Sequence, residues 1–510
     1  MKKLVRILCL VLALSLMPLA FASADDPVTI SIWASDRENM PMRNGLMTIN
    51  MLQDILGINI DVQSAPTESL DEKYGLLMSD PASIPTIVQY KANKLLQYKE
   101  AWMILDDYIN ETDTPNLWKV YSDPVIRRYV SDSEGHIRFI GQRTAITCGK
   151  LWFYRQDWLD KLQLKAPTTM EELYETFLAI KQGDPNGNGE ADEIPFSVRK
   201  QGSNNRANLM PFVNSWGIEE TFFAEDDVVK FGAVDARMKD ALAWLNKCYE
   251  AGLIDSEYPT LSKQDWYSRW TNEQVFMSYD WSAYIDNVGN LFKDTDSPVH
   301  IVGTAPMAGP TGISETRDQL QPITVDEDWN AAIYVGASEE QVKAAMKLFD
   351  YLYSEEGMLL LNFGVKGEHY DVDENGNLYY TDLIMHNPDG LSAQDALRQY
   401  GIQSMLTLLQ DARYERAFVS DEVNRTRDLY EQEGHIGPAF PTLAFTDEER
   451  DIINEKYTDI ETYVNETLDK FIMGRESLDG FDAFVEQVNS MGLPEVLKVY
   501  QDAYNRYMGL

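Results

Sequence analysis

The sequence predicts an α/β protein built of two large lobes, and three observations carry that expectation. The chain has 510 residues, room for two or three domains at roughly 150 residues each. Short β-rich runs alternate with amphipathic helical patterns, the order that builds sheets of largely parallel strands covered by crossover helices. No low-complexity tract, long linker or internal repeat divides the chain, which fits two lobes traversed more than once. With 44% hydrophobic and 25% charged residues, the composition excludes a disordered or fibrous protein.

The elements follow in order. Lys2, Lys3 and Arg6, the apolar stretch Ile7 to Phe21 and the small residues Ala22-Ser23-Ala24 read as an export signal over 1–24, leaving Asp25 as the mature N-terminus. That apolar stretch is too short to span a membrane comfortably, and no later run of about 18 apolar residues follows. The mature protein is expected outside the cytoplasm, in the periplasm or the medium. Val28-Thr29-Ile30-Ser31-Ile32-Trp33 reads as a strand that delivers Ala34-Ser35-Asp36-Arg37 to a cleft edge. Thr86 to Tyr90 and His136 to Ile140 are further β-like runs. Thr168-Thr169-Met170-Glu171-Glu172, Ser338-Glu339-Glu340-Gln341 and Thr446-Asp447-Glu448-Glu449 each offer a capping box ahead of apolar residues at helical spacing. The last 65 or so residues read as helix upon helix.

Charge and motifs exclude several functions. A formal charge of −38 repels phosphate backbones and anionic membrane surfaces, so no nucleic-acid or membrane-surface role is expected. There is no GxSxG elbow, HExxH, Walker loop or GxGxxG, and the five histidines show no ligand-like spacing. Cys9 lies within the export signal and is misplaced for a lipid anchor. Cys148 and Cys248 read as two buried thiols, with a disulfide between them as the alternative.

The sharpest local signal is Asp184-Pro185-Asn186-Gly187-Asn188-Gly189-Glu190-Ala191-Asp192-Glu193. Asp184, Asn186, Asn188 and Asp192 place side-chain oxygens at the first, third, fifth and ninth positions of an EF-hand-like loop. Gly189 fills the sixth position, and Glu190 offers its backbone carbonyl at the seventh. Hard Ca²⁺ needs such an array of oxygens. Pro195 occupies the twelfth position, where an EF-hand has its glutamate, and Glu193 stands ready to supply that carboxylate. A structural calcium ion is therefore expected, a plain Asx/Gly turn being the alternative. Asp371 to Asn377, with Asp382, also resembles a calcium loop, but its flanking Tyr370, Leu378, Tyr379 and Tyr380 read better as a β-hairpin around Asn375-Gly376.

Eleven tryptophans and 27 tyrosines suit an exported sugar binder, because sugar C–H faces lie on aromatic planes while hydroxyls seek polar partners. Clusters mixing both kinds are Trp33 with Asp36 and Arg37, Tyr90 with Asn93 and Lys94, and Tyr279-Asp280-Trp281 with Tyr284. For any single aromatic, core packing is the plainer reading.

The run from Leu151 to Leu162, continuing through Ala166-Pro167-Thr168-Thr169 into the Asp184 loop, resembles the extracellular solute-binding proteins of bacterial ABC transporters, family 1. Gly303-Thr304-Ala305-Pro306, Gly309 to Gly312, Gly364 to Tyr370 and Lys470 to Gly474 extend the resemblance over most of the chain. The loop is similar to the calcium site of alginate-oligosaccharide-binding members. The resemblance implies a two-lobe, periplasmic-binding-protein-like fold of type II, with ligand in the interlobe cleft and closure by hinge bending. Lobe 1 would comprise 25–148 with about 302–352, and lobe 2 about 149–301 with 353–510. By position in the family, Asp36 and Arg37 match polar cleft residues, Tyr90, Asn93 and Lys94 a stacking aromatic with its neighbours, and Trp281 the second-lobe stacking aromatic.

The function so implied is non-enzymatic: a monomeric receptor that captures a carbohydrate and feeds an ABC permease. A secreted glycan-active enzyme and a binder of peptides or other solutes on the same fold are the alternatives. The charge of the sugar stays open. The overall negative field is screened within about 8 Å at physiological salt, and Arg37 and Lys94 could favour acid groups locally.

Overall fold

The computed structural model describes residues 27–509 apart from 38–39, 145–147, 201–205, 207, 294, 296, 318–322, 324–327 and 405–406. The expected export signal and Asp25 lie outside the described residues. The expected first strand spans Thr29–Asp36 and runs inside a four-stranded sheet ordered Asn330–Ile333, Ile87–Tyr90, Thr29–Asp36, Asn59–Pro66. It is parallel to both neighbours, with Thr29 opposite Asn59 and Ile32 opposite Ile87. Ile30, Ile32 and Ala34 are wholly buried on a core shared with Ile333, Phe349 and Leu360. Asn330–Ile333 closes the sheet antiparallel, returning to this lobe from far along the chain.

The second sheet is ordered Ile194–Phe196, Val275–Trp281, Lys150–Arg155, Ile301–Thr304. Here the expectation of largely parallel strands fails. Lys150–Arg155 pairs antiparallel with both neighbours, and only Ile194–Phe196 with Val275–Trp281 is parallel. The run Leu151-Trp152-Phe153-Tyr154 is buried on both faces. A strand of that kind shows no alternation, and nothing local sets its direction. Its core takes in the C-terminal helices through Ile460, Phe471 and Val496.

A third, small core gathers Phe363, Tyr380, Leu397 and Tyr414 around the hairpin Tyr370–Val372 and Leu378–Tyr380. The Asp371–Asn377 stretch is thus a hairpin turn, closed by Asp373 Oδ1, which accepts from the backbone of Asn375 and Asn377. Passages between the lobes run side by side where Arg143 bridges both Ile323 and Leu409, and where Thr316 bridges Ile436.

Helix starts follow the local sequence. Ser338 and Thr446 close full capping boxes with Gln341 and Glu449. Thr169 caps Met170–Gly183 by accepting from Glu172, but the Glu172 carboxylate reaches one residue further back, to the backbone and hydroxyl of Thr168. His136 to Ile140 forms isolated bridges instead of a strand. The guanidinium of Arg138 turns inward there to Asp132, 2.7 Å away. Cys148 and Cys248 are both buried thiols, and neither is in a disulfide.

Candidate ligand-binding and calcium sites

Two groups of expected site residues sit at strand ends, one on each lobe. On the second lobe the central strand Val275–Trp281 is covered along its length and emerges only at its last residue. Trp281 is 39% exposed and is the one exposed tryptophan of the eleven, all of which are described. Lys150, opposite Trp281 across the ladder, holds its ammonium 5.7 Å from the indole ring.

The neighbours of Trp281 are interior groups. Tyr279 is wholly buried, its ring 4.6 Å from Trp152. Asp280 is also wholly buried and accepts a fork of two bonds from Arg199, at 2.7 and 2.9 Å. Burial pushes the Asp280 carboxyl up in pKa, against the opposing pull of Arg199. Tyr284 lies under the same guanidinium at 4.8 Å and packs against Trp266. Tyr279, Asp280 and Tyr284 thus brace Trp281 from inside. Arg199 and Lys150 were not legible as site residues, since Arg199 lies 81 positions from Asp280 and only strand pairing brings Lys150 to Trp281.

On the first lobe, Asp36 ends its strand with Oδ1 accepting from the Met42 backbone at 2.9 Å, and Arg43 stands 3.9 Å away. Arg37 donates to the buried carboxylate of Asp328. Tyr90 ends the adjacent parallel strand but is buried, with Tyr74 4.6 Å and Trp33 5.9 Å from its ring. Its hydroxyl donates to Asp71 at 2.6 Å, and Lys94 pairs with the same carboxylate at 3.1 Å. The Tyr90 hydrogen bond and Lys94 together hold the Asp71 carboxyl below its ordinary pKa. Asn93 is exposed on the short helix Ala92–Leu96. In this arrangement Asp36, Arg37, Asn93 and Lys94 present polar groups, while Tyr90 offers no free ring face.

The Asp184 loop follows the helix Met170–Gly183 and is wound by its own side chains. Asp184 accepts from the backbone of Gly187 and Gly189 at 2.9 and 3.2 Å, and both glycines sit at φ 77°, where a side chain would strain the turn. The oxygens of Asn186 and Asn188 accept from the backbone of Asn188 and Glu190. Both Asn amides donate to Asp192 Oδ1 at 3.1 Å, and Gln274 donates to Oδ2. Among the described residues, no cluster of three or more His, Cys, Asp or Glu is gathered as metal ligands. One observation does fit a cation. Glu193 is buried, its Oε1 has no partner, and burial with the nearby Asp192 and Asp184 raises its pKa. A calcium ion supplies the charge such a carboxylate lacks.

The overall fold is matched by known proteins. The family model for bacterial extracellular solute-binding proteins covers residues 57–359. The chain belongs to that family. It is 21% identical over 472 residues to the lipoprotein LipO of Bacillus subtilis (strain 168), covering 90% of this chain and 88% of that protein. It is 24% identical over 434 residues to the fructooligosaccharide ABC transporter substrate-binding protein FusA of Streptococcus pneumoniae, covering 79% and 75%. Among solved structures, the alginate-binding protein AlgQ2, crystallised without calcium ion, superposes with a TM-score of 0.76 at 25% identity, covering 94% of this chain and 98% of that one. FusA and AlgQ2 are binding proteins. No helix among the described residues is long and apolar enough to cross a membrane.

Proposed function

We propose that this family member is the extracytoplasmic receptor of an ABC transporter, capturing an oligosaccharide between its lobes and handing it unaltered to a permease. The observation that carries this reading is the exposed Trp281, lifted out of an otherwise covered strand end beside Lys150. An indole face is the surface on which a sugar's C–H groups lie, and the polar groups of Asp36, Arg37, Asn93 and Lys94 serve its hydroxyls from the other lobe. The relatives FusA and AlgQ2, which bind fructooligosaccharide and alginate, support the same ligand class.

The two lobes, one on the core of Ile30, Ile333 and Leu360 and the other on the core of Leu151, Phe471 and Val496, hinge at the passages around Arg143 and Thr316. Calcium is a structural ion held by side-chain oxygens of Asp184, Asn186, Asn188, Asp192 and Glu193 and by the Glu190 carbonyl. An EF-hand mutant studied in FusA supports that assignment. The mature protein works as a monomer outside the cytoplasm.

A thermal-shift screen of the purified protein against oligosaccharides and peptides tests the function. A true ligand at 100 times its Kd stabilises by about 2.7 kcal/mol. Glycans are expected to raise the Tm. Shifts with peptides and none with glycans would overturn the reading.

A further inference from the structure

A cavity of about 600 Å³ lies between the segment that follows the first strand and the helix Ala393–Gln399. Its walls are fastened together. The Thr48 backbone donates to Tyr400 at 3.2 Å, and the Ser404 hydroxyl donates to the Pro41 carbonyl. Leu46 and Leu391 supply apolar lining, and Arg43, Arg398, Asp395 and Gln399 supply the polar groups. The volume is that of a small-ligand site, and the place, beyond the carboxyl ends of parallel strands, is where open α/β sheets take ligands.

Arg398 is short of partners. Among the described residues, no carboxylate ion-pairs with the Arg398 guanidinium, and its Nε is buried with no acceptor. Burial lowers the Arg398 pKa, with the like charge of Arg37 adding to it, while Tyr414 and Asp395 pull the other way without reaching contact. Arg43 is 58% exposed, and among the described residues the one carboxylate within its reach is Asp36, at 3.9 Å, which already accepts from the Met42 backbone. Asp395 is engaged by the Ser392 hydroxyl at 2.7 Å. The chain carries 82 acidic against 44 basic residues, so partners for an arginine are plentiful, yet among the described residues none pairs with Arg398. A partly desolvated guanidinium without an anion is costly, and a planar fork of donors matches a carboxylate in two bonds.

We propose that Arg398 and Arg43 form a carboxylate subsite, and that the captured ligand is an acidic oligosaccharide whose sugar carboxylate docks there. The inference rests on the oligosaccharide reading above and narrows it. Arg43 lines the cavity and stands 3.9 Å from Asp36, which ties it to the Asp36–Arg37 strand end, so one sugar chain can reach both. Gln399 offers an amide to hydroxyls, and the leucines cover C–H faces.

Calorimetry on the full mature protein decides it, using tetramers of galacturonate and of mannuronate, the methyl-esterified galacturonate tetramer, maltotetraose and nystose. An acid tetramer is expected to bind at least about tenfold tighter than its ester or the neutral chains. Arg398→Gln should remove about tenfold or more of the acid's affinity without lowering the Tm. Should that variant fold poorly, Arg43→Gln and a salt titration from about 50 to about 500 mM on the wild type read the same contact, since salt weakens only the acid's binding. Neutral or esterified tetramers binding as tightly as the acids, or an unchanged preference in both variants, would overturn the subsite while leaving the oligosaccharide reading intact. If no glycan of either charge binds, both readings fall together.

Discussion

Replacing Trp281 with alanine separates a stacking platform from a core residue. Trp281 keeps 39% of its surface exposed, whereas Trp270 keeps none. A tryptophan can bury up to about 250 Å², so roughly 100 Å² of Trp281 remains for a ligand. At about 25 cal/mol per Å² that surface contributes at most ~2.5 kcal/mol, or about 70-fold in Kd. The covered three-fifths costs stability when deleted. Scaled from the 3–5 kcal/mol typical of a fully buried tryptophan, the loss is about 2–3 kcal/mol. Trp281→Ala should therefore remain folded and lose ligand affinity by tens of fold, while Trp270→Ala should lose about 3–5 kcal/mol of stability. Urea denaturation and calorimetry on the same preparations give both quantities. If Trp281→Ala binds like the wild type and destabilises as much as Trp270→Ala, the indole belongs to the core and the stacking argument is wrong.

Chelator should lower the Tm of the wild type, and Asp184→Ala should abolish that sensitivity; a melt indifferent to chelator would leave the loop as a turn. Glu193 has its pKa raised in the folded, calcium-free chain, so its contribution is present below about pH 4.5 and is lost as pH rises through the folded value. Glu193→Gln should remove that slope in chelator while weakening calcium binding. His369 is buried with Nδ1 accepting from the Val365 backbone at 3.2 Å, and burial lowers its pKa from 6.5. Its contribution is therefore complete above about pH 6.5 and lost as pH falls towards the lowered folded value, and His369→Phe should flatten that part of the stability–pH curve. Arg199→Ala strands the Asp280 carboxylate inside the protein and should cost about 3–5 kcal/mol, read by denaturant unfolding.

Local physics was legible and tertiary path was not. The first strand, the capping boxes at Ser338 and Thr446 and the Asp373 hairpin all rest on neighbours a few residues apart, and all are present. Strand direction in the second sheet depends on where the chain returns from, which no periodicity in Leu151 to Tyr154 records. In the Tyr279-Asp280-Trp281 run, a surface strand would alternate exposure. This central strand is covered on both faces, so only its last residue emerges. The polar partners there, Arg199 and Lys150, come from other elements, and Arg43 and Arg398, which line one cavity, lie far apart along the chain. Residues that meet only through the fold leave no spacing in the sequence.

The central claim is capture without chemistry, and native mass spectrometry of the purified protein after prolonged incubation with an oligosaccharide that shifts its Tm tests it most directly. The account predicts a complex of one protein with one sugar, the sugar's mass unchanged at the end of the incubation. Shortened sugar accumulating in solution, and lost when a carboxylate of the chain is replaced, would contradict it.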